Sequence, residues 1–334
     1  MLVTIDNMKF DFIPEASSYI NPNIGKSDKF YIINRKDTPR GGFFSNYTVV
    51  CAHILYALKN SLIPIIDFQS YRTLFNESDS INGTTNSWEY YFEQPTNKTV
   101  EYAYRAKHIL SKGVCYRTGL PFQQKRDGFF LDTLKNAVTS SIITNLIRPN
   151  EVTRTALKKD EELLSGATSS VGIHVRGTDR RCVDNDWDTK TCVRSVYIKE
   201  LDSYLSRHYV DRIFLACDEL DTVKAFEQRY GELLVYNDVL RAAGETIVGI
   251  HYTASSRVNN NYLLGLEVLR DAYMLSKCDA LIFANSSVAA GAIMINGNKY
   301  KERIYVPAAS YKPAQQRIHR RQITARKPIY RRNR

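Results

Sequence analysis

Nowhere in the 334 residues do apolar side chains run unbroken for the ~18 positions that a bilayer-crossing helix needs, so a transmembrane helix is excluded as an expectation. The opening "MLVTIDNMKFDF" lacks the basic-then-apolar layout of a secretory leader. The expected location is therefore cytoplasmic or membrane-peripheral. Cysteine is sparse: six residues, at 51, 115, 182, 192, 217 and 278, form neither a small disulfide framework nor a C-x-x-C metal site. Cys51, Cys217 and Cys278 sit among apolar neighbours and read as reduced core residues, whereas Cys182 and Cys192 flank a polar loop and are a candidate pair. No G-x-S-x-G element is present and the six histidines are scattered, so a nucleophilic triad has no support. Five N-x-S/T sequons, at Asn46, Asn76, Asn82, Asn97 and Asn285, are expected to be unused in a chain without a leader.

Acidic residues are missing from one region in particular. From Ala308 to Arg334 there are nine Lys and Arg and no Asp or Glu, which accounts for +9 of the formal +11 and leaves the body near +2. The basicity belongs to a tail, taken as 311–334, and not to a nucleic-acid-binding face, so no specific nucleic-acid partner is expected. Contact with an anionic surface through the tail is the alternative to a merely solvated segment.

What is present is ordinary for a globular protein, 43% apolar and 24% charged, over a length that suits two domains. We expect an N-terminal α/β domain over 1–165 and a nucleotide-binding α/β domain over 166–310. The first half reads as a strand at 30–35, a "KDTPRGG" turn, a helix over about 45–60 and a buried strand "LIPIIDF". A polar stretch at 69–87, the aromatic cluster "WEYYF" and a helix over 131–147 follow. That cluster could stack an acceptor sugar, although core packing is the commoner role of such residues. His53 and His108 read as helix residues without catalytic duty.

From Ser169 onward apolar strands at 170–175, 212–217, 232–238, 279–285 and 303–307 alternate with helices at 196–208, 220–230, 261–276 and 287–296. This is the pattern of a parallel, doubly wound sheet, which binds ligands outside the carboxyl ends of its strands. "VGIHVRGTDRR" then places its charge at such an end and not in the core. Arg176 can offer a planar fork of donors to a diphosphate, and Gly177 lets backbone approach closely. An ion pair between Arg176 and Asp179 is the structural alternative. Ser286 and Ser287 open a helix, where hydroxyls and free N–H groups suit a phosphate or simply an N-cap. Asp218 follows another strand and can brace Arg176; Asp271 lies amid apolar neighbours in "LRDAYMLSKCD". Gly41, Gly42 and Asn46, at the strand-to-helix turn of the first half, are further candidates, since glycine there lets backbone approach a ligand.

These residues carry a resemblance. "VGIHVRGTD", "IFLACDE", "LRDAYMLSKCDALIFANSS" and "GGFFSNYTVVCAHILYALKNSLIPIIDF" are similar to the GDP-fucose-dependent fucosyltransferases, especially the α1,6 group that includes core N-glycan and nodulation-factor enzymes. The similarity is good over 169–296 and weaker over 30–68. It implies a GT-B-like fold, two Rossmann-type domains facing across a cleft with the donor on the second and the acceptor mostly on the first, beside Gly41, Gly42 and Asn46, and inverting transfer of fucose from GDP-fucose to a glycan hydroxyl without metal or other cofactor. By that resemblance Arg176 binds the β-phosphate, His174 and Asp271 recognise guanine, Ser287 touches the diphosphate, and Asp179, Arg180 and Asp218 organise the loop. The family's base is an acid shortly beyond the T-D aspartate, for which Asp184 is the nearest candidate, with Asp186 and Asp188 also within reach. One departure counts: the α1,6 enzymes commonly carry a second arginine where this chain has Gly177. Two alternatives stay open. "DND" at 184–186 is a D-x-D, so a metal-dependent transferase using another nucleotide sugar is one. A non-catalytic protein binding a sugar nucleotide or polyanion is the other.

Overall fold

The computed structural model describes residues 2–5, 8–11, 29–35, 41–105, 108–112, 145–177, 189–243, 250, 255–284, 286–297 and 299–306. Strands β1 (Leu2–Ile5) and β2 (Met8–Asp11) pair as an antiparallel ribbon. The rest of the first half is built on a three-stranded parallel sheet of β3 (Lys29–Ile33), β4 (Ile63–Ile66) and β5 (His108–Lys112), in the order β4-β3-β5. Helix α1 (Phe43–Lys59) makes the crossover from β3 to β4, and the short α2 (Val100–Tyr104) precedes β5, its first turn capped by Thr99 Oγ1 accepting from Tyr102 N–H. His108 therefore opens a strand and not a helix. The run "YRAKHILSK" is too short of helical periodicity to decide, and pairing with β3 decides it. The helix expected over 131–147 lies outside the described residues apart from positions 145–147, of which 145 and 146 are helical and 147 is a bend.

The polar stretch at 69–87 is a packed block of turns. Its buried asparagines replace backbone partners: Asn86 Nδ2 donates to Ile66 O (2.7 Å) while its Oδ1 accepts from Phe68 N–H (3.1 Å). Asn76 Nδ2 likewise donates to Phe68 O (2.7 Å). An amide side chain supplies both a donor and an acceptor, so each satisfies a strand end that no neighbouring strand covers. The aromatic cluster that follows is core: Trp88, Tyr90, Tyr91 and Phe92 are all buried, and the Trp88 and Phe92 rings lie 4.5 Å apart.

Helix α3 (Glu151–Asp160), capped by Asn150 Oδ1 accepting from Thr153 N–H, leads into the larger sheet. Its strands are β6 (Ser170–Val175), β7 (Arg212–Cys217), β8 (Leu234–Val235), β9 (Ala280–Phe283) and β10 (Glu302–Tyr305). All described pairings are parallel, in the order β10-β9-β6-β7-β8. Helices α4 (Thr189–Leu205), α5 (Leu220–Tyr230), α6 (Asn260–Lys277) and α7 (Ser287–Asn296) connect them. Counted from β6, that order is 3-2-1-4-5, with the winding direction reversing between β6 and β9, and ligands bind at such a switch point.

Strand alternation decides which side chains reach the site. Val171, Ile173 and Val175 enter one buried cluster with Leu201 and Ile213. Gly172 faces α6, so close that an added Cβ would stand 3.0 Å from Leu275 Cδ2. His174 and Arg176 follow at the same period of two. The two halves meet directly: a Cβ on Gly291 of α7 would stand 2.0 Å from Phe44 Cδ1 of α1. Tyr91 Oη donates to Tyr262 O (2.9 Å), and Tyr262 N–H at the start of α6 donates to Glu77 Oε1 (2.8 Å). Arg270 of α6 makes two 2.7 Å bonds to the Asp160 carboxylate at the end of α3. Among the described residues no helix is long and apolar enough to cross a membrane.

Candidate active site

A cavity of about 390 Å3 opens at the carboxyl ends of β6 and β7, between α6, the start of α7 and the start of α1. Its second-half wall carries His174, Arg176, Asp218, Asp271 and Ser287; its first-half wall is Gly42 through Ser45, with Phe75. Five of the residues expected to handle a nucleotide thus come from four separate elements onto one surface.

Each is placed by its local structure. His174 is the fifth residue of β6 and is buried on the α6 face. Arg176 leaves the strand end one period later. Asp218, just beyond β7, accepts at Oδ1 from the Gly177 N–H (2.9 Å), so it fixes the backbone turn that carries Arg176. At Gly177 an added Cβ would lie 2.2 Å from the carboxyl carbon of Glu219, so that buried side chain, which also receives the Thr222 hydroxyl (3.0 Å), would have to shift to admit one. Ser286 is the N-cap of α7, its Oγ accepting from Val288 N–H at 3.2 Å. Ser287, at the first turn, faces the cavity. A helix start with its leading N–H groups turned toward a cavity is an anion site by geometry and dipole.

Asp271 sits midway along α6, buried among Leu269, Ala272 and Leu275. Burial pushes its carboxyl up to about 7, against the opposing pull of the Arg241 charge and of a hydrogen bond from Asn237 Nδ2 to Oδ1 (3.0 Å). Arg241 in turn donates through Nη2 to Asn237 O (2.7 Å) and lies over the Tyr236 ring. Asn237 and Arg241 were not singled out in the sequence. They follow β8, and the strand-end rule applied to "CDE" and "NSS" would have reached "VYNDVLR" as well.

On the first-half side, Gly42 lines the cavity, and Gly41 lies beside the fully buried Arg35 at the end of β3. An added Cβ at Gly41 would stand 2.2 Å from Arg35 Nη2, which also reaches Ser45 Oγ (3.5 Å). Asn46 is buried one layer below, donating to Gly41 O (3.4 Å) and lining a separate void of about 20 Å3 beside Tyr47 and Trp88. Asp179, Arg180, Asp184, Asp186, Asp188 and the Cys182 end of the candidate disulfide lie outside the described residues. Cys51, Cys217 and Cys278 are buried free thiols, Cys217 and Cys278 pushed up to about 12 by burial.

Two parallel sheets meeting at a cavity on the carboxyl edge of the larger one make a GT-B-like fold. Residues 137–290 match the family described as alpha-(1,6)-fucosyltransferase N- and catalytic domains. Among solved structures, the NodZ alpha-1,6-fucosyltransferase of Bradyrhizobium co-crystallised with GDP is similar with a TM-score of 0.51 at 13% identity, over 80% of this chain and 92% of that one. A variant of Arabidopsis thaliana FUT1 in complex with GDP is similar with a TM-score of 0.51 at 13% identity, over 90% of this chain and 74% of that one. No curated protein matches the sequence. Over those residues the chain is similar to that family, and it shares its fold with these solved fucosyltransferases.

Proposed function

We propose that the protein transfers fucose from GDP-fucose to a glycan hydroxyl with inversion and without a metal ion. The observation that carries this reading is the 390 Å3 cavity with His174, Arg176, Asp271 and Ser287 on one wall and the Gly42 turn on the other. The apolar end, beside the half-buried Val239, Leu240 and Val268, suits a base, with the buried Asp271 as acceptor for guanine ring-edge N–H groups. Arg176 and the α7 start suit the diphosphate. As the sugar departs, negative charge grows on that diphosphate, and a fixed guanidinium fork with helix N–H groups stabilises it without reorganising; a single preorganised donor of this kind contributes about 3 kcal/mol to the barrier. The acceptor hydroxyl, entering past Gly42 with Gly41 and Asn46 behind it, gives its proton to an aspartate, for which Asp184 is the candidate. Asp179 and Arg180 organise the same loop.

The experiment is a thermal-shift panel of GDP, UDP, ADP and CMP, followed by turnover of GDP-fucose with and without EDTA. A ligand at 100 times its dissociation constant stabilises the fold by about 2.7 kcal/mol. GDP alone should shift the melting point, and transfer or donor hydrolysis should survive chelation. Equal shifts with UDP would overturn the guanine assignment. Activity lost to EDTA and restored by manganese would move the diphosphate to "DND" at 184–186. GDP binding with neither transfer nor hydrolysis would leave a sugar-nucleotide binder.

A further inference from the structure

One charged residue of the cavity has no part in the site described so far. Glu267 lines it, on the same helix face as Asp271 and one turn earlier in α6. Helix α6 leads into β9 from the amino edge of the sheet, so its own start lies at the carboxyl edge. At ~1.5 Å of rise per residue, Glu267 is therefore displaced about 6 Å along the helix axis from Asp271 toward the carboxyl edge, where Arg176 and Ser287 line the same cavity. A carboxylate facing a largely apolar cavity costs desolvation unless it is paired. Arg257, in the turn ahead of α6, pairs with it through Nη1 to Oε1 (2.5 Å) and Nη2 to Oε2 (3.3 Å). Arg257 is itself held by Nε donating to Asn260 Oδ1 (3.1 Å) and by its backbone N–H donating to Ser255 Oγ (3.2 Å). The carboxylate is thus fixed in orientation, yet two of its four acceptor directions remain after the arginine has taken one on each oxygen.

A nucleotide whose base reaches Asp271 and whose diphosphate reaches Arg176 and Ser287 must lay its ribose across the stretch between them. The one-turn step from Asp271 to Glu267 is of the same order as the step from a purine's hydrogen-bonding edge to its sugar. We propose that Glu267, oriented by Arg257, accepts hydrogen bonds from the ribose hydroxyls of the bound nucleotide and so makes the site selective for ribonucleotides. The inference rests on reading the cavity as the nucleotide site.

The test compares GDP with 2′,3′-dideoxy-GDP by calorimetry on the wild type, Glu267→Ala and Glu267→Gln. Loss of hydrogen bonds to a charged acceptor should make the wild type prefer GDP by about tenfold or more. In Glu267→Ala that ratio should collapse to within about twofold, with Glu267→Gln between the two. If Glu267 merely latches the turn at 255–259, the variants weaken both ligands alike and the ratio persists, which overturns the proposal. Equal affinity of the wild type for GDP and its dideoxy form overturns it even should the variants not fold. Failure of the wild type to bind GDP at all would instead sink the nucleotide reading on which it stands.

Discussion

The proposed recognition of guanine by Asp271 demands the carboxylate, because ring-edge N–H groups donate and a protonated acid presents a donor of its own. Burial holds that carboxyl at about 7. The groups that face it are Asn237 and Arg241 beyond β8, Arg270 on its own helix, Asp160 at the end of α3 and His174 of β6. Binding is then linked to proton release. The competent fraction is about one half at pH 7 and about one in eleven at pH 6, so the apparent dissociation constant should rise roughly tenfold from pH 8 to pH 6, with ~0.9 proton released per nucleotide at pH 6. The sign for stability is opposite. A carboxyl raised in the folded state costs stability above about pH 7, and that cost, on the order of 4 kcal/mol at full ionisation, is recovered as pH falls from 7 toward 4. Calorimetry of GDP-fucose without acceptor, in buffers of different ionisation enthalpy, measures both affinity and protons; the sugar ester removes the terminal phosphate's own titration near pH 6. Asp271→Asn is the control. It keeps an acceptor toward Asn237, should lose at least tenfold in affinity, and should show neither the pH slope assigned to Asp271 nor a lower melting point at pH 8. A wild-type affinity that is flat from pH 6 to 8, with no buffer dependence, would refute the assignment.

Three further outcomes are expected. Arg176→Lys keeps the charge but loses the planar fork, so turnover should fall more than tenfold, about 1.4 kcal/mol, while the fold is kept; near-wild-type turnover would return Arg176 to a structural ion pair. Gly291→Ala drives a methyl into Phe44 where the two halves meet and should destabilise by about 1–3 kcal/mol in urea, an unchanged midpoint arguing that α1 and α7 are not in contact. Gly177→Arg should lower the melting temperature and leave turnover no higher than that of the wild type; increased turnover would show that the turn has room for a second cation.

Much of the site was legible because it depends on two simple periodicities. Strand alternation puts Gly172, His174 and Arg176 on one face, and the parallel β/α order puts the ends of β6 and β7 together, so the residues after "GIHV" and "FLAC" were found without contacts. Elements whose identity depends on a partner strand were not. His108 reads as well in a helix as in β5 until β3 is beside it. The 69–87 block looks like a polar loop until Asn76 and Asn86 are seen replacing missing backbone partners. The same holds for chemistry set by burial. "NDVLR" after β8 carries no motif, and only the packed structure shows Asn237 and Arg241 opposing the desolvation of Asp271, 34 residues from Asn237 in sequence.

Gly177 shows why a departure from relatives is not simply a deletion. In the α1,6 enzymes a second arginine commonly follows the first, whereas here the space beside the backbone is filled by the Glu219 side chain, with its carboxyl carbon 2.2 Å from where a Cβ would stand. That carboxyl is tied to Thr222, and the neighbouring Asp218 holds the Gly177 N–H. The turn after β6 is therefore organised by two acids from the end of β7, and the backbone N–H is spent inside the protein. A cation placed there would have to expel a buried carboxyl before it could reach a ligand. On the proposed reading, the counter-charge for a departing diphosphate in the described part of the cavity then falls to Arg176 and the start of α7, and the acids that brace the turn help to set where Arg176 leaves the strand.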